Sequence, residues 1–312
     1  MTIGRYGIDP GTIGSILFWS VSGGEVTWDG AVESVVLEVR LPRIIAALLA
    51  GGGLAISGAA LQGLFRNPLV SSDILGVSSG AGFGAAIAIL VSDSIMVIEM
   101  SAFIFGLIAV GLTFWISRVN QQTPLLMLIL SGIVVGSFFM ALTSICKYVA
   151  DPMNKMPTIV FWLLGSLNHV TRSDLLFLGP VIILSSVLVI LLRWRINLIS
   201  MGDEEARALG VNTEQMKFLL IVTTTLITAA TVSMCGLIGW VGLVIPHIGR
   251  ILVGPDNRRL IPVTFLVGAV FLILVDTLAR TLTSSEIPIG LLTAGIGAPL
   301  FAVLIRINRI GW

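Results

Sequence analysis

Residues 39–65 read VRLPRIIAALLAGGGLAISGAALQGLF, and this stretch decides the fold. After Arg43 it holds no charged residue before Arg66. A helix needs about 20 consecutive apolar residues to cross a bilayer, and this run supplies them. Pro42 suits the first turn of a helix, where a missing N–H is no loss. Gly51, Gly52, Gly53, Gly58 and Gly63 leave a bare surface that other helices can approach closely. The stretch reads as a membrane-crossing helix with neighbours packed against it.

Outward from this helix the apolar pattern recurs. Residues 74–91, 95–117, 124–149, 175–192, 216–236, 239–253, 260–278 and 289–305 are further apolar runs, so nine crossings are expected in all. Residues 239–253 are short and interrupted by glycine and proline. Residues 158–167 are too short to cross and read as a half-helix or an interfacial helix. Pro68 stops the first span from simply continuing through FRNPL. Composition agrees: 11% of residues are charged and 56% hydrophobic, against about 25% charged in soluble domains. The fold class is an all-α polytopic membrane protein of about nine transmembrane helices, some short and broken. A net charge of +1 gives no sign of nucleic acid.

Residues 1–39 are mixed in character. Their apolar run, residues 12–21, is too short to span, and it lacks the basic start and cleavage site of a signal peptide. Residues 1–39 are expected to form an extracytoplasmic surface segment, followed by a transmembrane domain over residues 40–312.

One strongly polar run separates two long apolar ones: SMGDEEARALGVNTEQMK, residues 200–217. Asp203 is a candidate N-cap, and Glu204 and Glu205 fall in the first turn, where the helix dipole favours carboxylates. Ala206, Ala208 and Leu209 continue the helix, and Gly210 can take the left-handed conformation that ends it. Asn212 or Thr213 can cap the next helix. A helix of two turns is marginal alone in water, so this knob, the loop over residues 200–215, is expected to pack on something. An ordinary capped loop and a knob gripped by a partner protein both fit. With the knob placed inside, alternating crossings put 11 of the 18 Lys and Arg on its side, Arg309 among them, and seven outside, Arg5 among them. The positive-inside rule then places the C-terminus inside and the N-terminus outside.

The stretches VRLPR, SGAALQGLFRNPLVSSDILGVSSGAG, GDEEARALGV, GLIGWVGLVIPHIGR and EIPIGLLTAGIGAPLF occur in this order along the chain. Together they resemble the permease subunits of the type II ABC importers for ferric siderophores, haem and vitamin B12, the FecCD-type family. The similarity runs from about residue 30 to the end. It implies a homodimer with a translocation path at its axis, two cytoplasmic ATP-binding subunits, and an extracytoplasmic substrate-binding protein. The permease itself would hold no cofactor, ATP being bound by the partner subunits. The resemblance also implies ten helices, the first lying before the segment that matches residues 6–40. This sequence has no counterpart of that helix; its absence from the protein and a start lying further upstream both fit.

The resemblance assigns roles residue by residue. Arg40, Arg43 and Arg280 match arginines that dock carboxylates of the binding protein, a task suited to the guanidinium fork. Arg40 and Arg43 are three apart and share a helix face; a merely solvated face is the other reading. Residues 202–210 (Gly202, Asp203, Glu204, Glu205, Ala206, Arg207, Leu209 and Gly210 among them) match the coupling helix that sits in a cleft of the ATPase. Asn67 and Leu69 match a cytoplasmic gate, with Gln122 and Thr123 as second gate candidates; an ordinary polar cap is the alternative for Asn67.

Other residues carry competing readings. Asp276 and Arg280 are four apart, which fits an ion pair; a membrane carboxylate also fits a proton relay, which would make the chain a proton-coupled secondary transporter. His247, in IPHIGR, is expected to make a structural hydrogen bond rather than to ligate haem or iron. Met153 and Met156 can touch an apolar ligand or simply pack. Cys146 and Cys235 form no CxxC or Cys/His cluster and read as buried hydrophobes. There is no GxxxxGK[ST], no HExxH, and no nucleophile with a paired base. The cargo expected from the resemblance is an iron chelate: a ferric siderophore, haem or a cobalamin-like molecule.

Overall fold

A computed structural model describes residues 7–23, 26, 28–120 and 122–307. Arg5 and Arg309, counted above for orientation, lie outside the described residues. The helices are α1 (Pro10–Ser22), α2 (Gly30–Ser34), a π-helical stretch (Val35–Arg40), α3 (Leu41–Phe65), α4 (Val77–Val91), α5 (Ile95–Ser117), α6 (Leu125–Val149), α7 (Lys155–Leu163), α8 (Arg172–Met201), α9 (Asp203–Ala208), α10 (Thr213–Cys235), α11 (Val241–Val253), α12 (Asn257–Thr281) and α13 (Ile289–Ile307). Seven helical runs are long and apolar enough to cross a membrane, and α4 and α11 are shorter apolar helices. Of the nine crossings the sequence predicts, seven are thus long enough among the described residues, and the two at α4 and α11 are shorter apolar helices.

α3 is the hub, packed by α8, α10, α11 and α12. It is buried along nearly its whole length, while α13 is the least enclosed span. The α3 glycines make this possible. A Cβ on Gly51 would meet the Gly268 carbonyl, and one on Gly268 would meet that of Gly51, so α3 and α12 touch backbone to backbone. Gly58 meets the backbone of Gly242 on α11 in the same way. Gly58→Ala should therefore force α3 and α11 apart and destabilise the protein by about 3 kcal/mol. Gly111, with nothing near its Cβ position, should tolerate alanine without loss. Thermal unfolding of both variants in detergent checks the contrast.

The first span starts earlier than its sequence predicts. Helix runs without a break from Gly30 to Phe65, so Pro42 is not at a helix start and residues 30–39 are helical and continuous with the first span. The π-helical stretch explains how Pro42 is tolerated. There the Leu41 amide donates to the Val36 carbonyl, five residues back. In that register the Leu37 carbonyl would need the N–H that Pro42 lacks. Arg172 supplies it from α8, donating to Leu37 O from Nε at 3.3 Å and from Nη2 at 3.1 Å. α1, capped by Asp9, packs on this stretch through Ile13, Ile16, Val36 and Leu37.

Two further boundaries shift. α4 begins at Val77, not residue 74, because Gly76 takes a φ of 82° at its N-terminus. At roughly 22 Å its 15 residues fall short of the hydrocarbon core. The half-helix is α7, Lys155–Leu163, where residues 158–167 were expected. Gly165, at φ 73°, ends the turn that follows it. The strand of backbone there is shared: Ser166 N donates to Cys235 O at 2.8 Å, Ile289 N to Gly165 O at 2.9 Å, and Gly290 N to Leu164 O at 3.0 Å. The ends of α7 and α10 and the start of α13 are thus tied at one end of the bundle.

The opposite end carries the turns at residues 66–76, 118–124, 202–212 and 254–256. Asp256 caps α12 there, and its bonds from Arg258 and Asn197 hold its carboxyl well below the usual carboxylate range. Cys146 and Cys235 are free and buried.

Candidate functional site

The knob is built as its sequence predicts at its C-terminal side and differently at its start. α9 carries Asp203, Glu204 and Glu205 in its first turn. Gly202, with φ 138°, occupies the N-cap position that Asp203 was expected to fill. The reason is that the Asp203 carboxylate points elsewhere: it accepts from Lys217 Nζ at 2.6 Å. Gly210, at φ 81°, closes the helix, with Val211 N donating to Ala206 O at 2.9 Å. Asn212, not Thr213, caps α10, its Oδ1 accepting from Gln215 N at 3.1 Å. Arg207 Nε donates to Thr213 Oγ1 at 3.1 Å.

Burial divides the knob into an inner and an outer face. Ala206 is fully buried in the main core. Glu204, Glu205, Arg207 and Leu209 are exposed, Leu209 at 57%. A two-turn helix thus presents acids, one arginine and a bare leucine outward.

Lys217 and Glu214 join the knob to a gate candidate, and sequence reading missed both. Lys217 is 3% exposed. Its ammonium bridges Asp203 and, at 3.0 Å, Glu214. Glu214 Oε2 in turn accepts from the Thr123 backbone amide at 3.0 Å. The chain Asp203–Lys217–Glu214–Thr123 therefore runs from α9 through the start of α10 to the turn before α6. The signal was the i,i+3 spacing of Glu214 and Lys217 at the start of an otherwise apolar span. Thr123 is buried and Gln122 exposed. Gln122 exchanges both backbone hydrogen bonds with Val119 at 2.9 Å, closing a tight turn.

The other gate candidate hangs from α3 and α11. Asn67 Oδ1 accepts from Leu69 N at 2.9 Å, a local turn. Leu69 is 58% exposed. Gln62 Nε2 donates to Val70 O at 3.0 Å, and His247 Nε2 donates to Pro68 O at 3.0 Å. His247 also meets the Phe301 ring edge to face. The structural hydrogen bond expected of His247 is present, and its partner is the gate loop.

At the opposite end the arginines are paired within the chain. Arg43 is 5% exposed. Its Nε donates to Asp276 Oδ1 at 2.7 Å, and its fork grips Glu286, Nη1 to Oε1 at 3.1 Å and Nη2 to Oε2 at 2.9 Å. Arg280 Nε takes the other Asp276 oxygen, Oδ2, at 3.1 Å. Asp276, 1% exposed, is clasped by two guanidiniums. The ion-pair reading of Asp276 and Arg280 is what the structure contains, enlarged by Arg43 and Glu286. Arg40 is also buried. The face shared by Arg40 and Arg43 thus turns inward, and neither is a freely solvated cation in the single chain. Met153 does not pack: it is 91% exposed. Among the described residues no group of three His, Cys, Asp or Glu is placed to hold a metal ion.

Comparison with known proteins agrees with this architecture. The profile of the FecCD transport family matches residues 1–307. The molybdate import system permease protein of Haemophilus influenzae is 45% identical over 99% of this chain and 91% of its own length. An iron chelatin transport system permease protein of Helicobacter pylori is 41% identical over 89% of this chain and 84% of its own. A solved structure described as a metal-chelate type ABC transporter in an inward-facing conformation superposes with a TM-score of 0.85 at 43% identity, covering 95% of this chain and 97% of that one. The chain belongs to the FecCD transport family and is a multi-pass membrane permease of the ABC importer type.

Proposed function

We propose that the chain is one half of a homodimeric permease that moves a metal-centred cargo inward at the expense of ATP hydrolysed by partner subunits. The observation that carries this reading is the knob. Its exposed outer face (Glu204, Glu205, Arg207, Leu209) suits a cleft in an ATP-binding subunit. Its inner face is tied through the buried Lys217 to Glu214 and the Thr123 amide. Motion of the ATPase then reaches the turn before α6, where Gln122 and Thr123 gate the path together with Asn67 and Leu69. The knob side is cytoplasmic, with the C-terminus on that side and the N-terminus outside. The weakly enclosed α13 offers a face for the second copy. On the outer side, Arg40, Arg43 and Arg280 meet carboxylates of the binding protein, Arg43 and Arg280 giving up Asp276 and Glu286 to do so.

The proton-coupled alternative loses its main support, since both Asp276 oxygens are held by guanidiniums. The cargo is proposed as an iron chelate. A second reading, molybdate, is favoured by one observation: the relative named for molybdate matches nearly the whole chain at 45% identity, whereas those named for iron chelatin and cobalamin match 89% of it at 41% and 40%. Uptake of radiolabelled ferric chelates and of molybdate into cells with and without the permease separates the two. Permease-dependent accumulation of one and not the other assigns the cargo. Dependence of neither would overturn both assignments.

A further inference from the structure

At the end away from the knob, the first turns of α5 and α8 enclose a cavity of about 360 Å³. Two carboxyl groups line it, Glu99 from α5 and Asp174 from α8. Both are more than nine-tenths buried. Asp174 Oδ2 is engaged by its own capping box, accepting from Thr171 N at 2.7 Å and Thr171 Oγ1 at 2.8 Å. Glu99 Oε1 is buried without any hydrogen-bond partner. A buried carboxyl oxygen with no partner is costly at membrane depth, so this atom points to a missing donor.

The mouth of the cavity defines what the donor must be attached to. It is lined by Ile95, Met96, Met100 and Phe177. Met96 and Phe177 are 58% and 63% exposed, and they stand on spans long enough to cross the bilayer. A ligand entering there passes apolar side chains before it reaches the acids. It needs a cationic donor head and an apolar body. A bare metal ion fits poorly, since the described residues offer no group of three ligating acids, histidines or cysteines.

We propose that this cavity binds the ammonium headgroup of an aminophospholipid from the leaflet away from the knob, held by Glu99 and Asp174 with its chains along Met96, Met100 and Phe177. A primary ammonium has three N–H donors. It can serve Glu99 Oε1, the Asp174 carboxylate and the hydroxyls of Thr171 or Ser173, which also line the cavity. A trimethylated head has no N–H to give, and an anionic head meets two acids.

The test is native mass spectrometry of the permease complex purified in detergent and supplied with phosphatidylethanolamine, phosphatidylcholine or phosphatidylglycerol. Wild-type protein should retain phosphatidylethanolamine about tenfold better than the other two, as expected for a charge-assisted hydrogen bond. Glu99→Gln should abolish that preference. Met100→Trp, which fills the mouth and leaves both acids in place, should abolish it too, and reads the site should Glu99→Gln fail to fold. Equal retention of the three lipids, or an unchanged preference in either folded variant, overturns the proposal. Displacement of the lipid by millimolar free ethanolamine overturns the lipid assignment in favour of a soluble amine.

Discussion

Lys217→Met is expected to cut ATP-driven uptake by about tenfold or more, while the complex continues to hydrolyse ATP. Lys217 is the one cation bonded to both Asp203 and Glu214 among the described ion pairs. Without it two carboxylates face each other at the junction of α9 and α10. The direct stability cost is modest, about 1–2 kcal/mol, because both acids are about 30% exposed and water screens them. The functional cost is larger, since coupling between sites typically amounts to about 1–3 kcal/mol and here runs through one ammonium. Lys217→Arg, which keeps the charge, should restore part of the uptake. The ratio of cargo moved to ATP hydrolysed is the readout. An unchanged ratio in a folded Lys217→Met complex would show that the knob does not communicate through this bridge. Variants of the knob's outer face belong at Glu204 or Leu209. Ala206 is fully buried, so Ala206→Arg would break packing before it touched a partner.

Arg43→Ala is expected to be the most destabilising single charge removal in the chain, at about 3–5 kcal/mol. It strands Asp276, 1% exposed, with only Arg280 beside it, and releases Glu286 from a two-pronged grip. Thermal unfolding in detergent measures the loss. Asp276→Asn in the same background should recover part of it, because the uncompensated buried charge is gone. The two changes should therefore be strongly non-additive. Additive losses would mean that Arg43 and Asp276 do not act as a pair.

Most of the membrane architecture was legible because it depends on local apolar runs. The α3 stretch announced both its length and, through its glycines, its close neighbours. The errors arose where distant residues decide local structure. Pro42 reads as a helix start, yet a π-helical register and Arg172, 135 residues from Leu37 along the chain, let the helix run through it. Arg40 and Arg43 read as sharing a face, but spacing cannot say whether that face turns to water or to α12. The answer lies in Asp276 and Glu286, 233 and 243 residues away. The caps of the knob were legible at Gly210 and Asn212, whose partners are local. Asp203 was misplaced because its partner, Lys217, competes with its own helix terminus.

In the proposed function this knob docks an ATPase and passes its motion inward. The most direct measurement is co-purification of the chain with the proposed ATP-binding subunit and binding protein, followed by ATPase assay with and without the binding protein. The expected result is a stable complex whose hydrolysis rises on adding loaded binding protein, and loss of that complex in Leu209→Arg. A wild-type chain that comes out alone, or a complex indifferent to both the binding protein and Leu209→Arg, would contradict it.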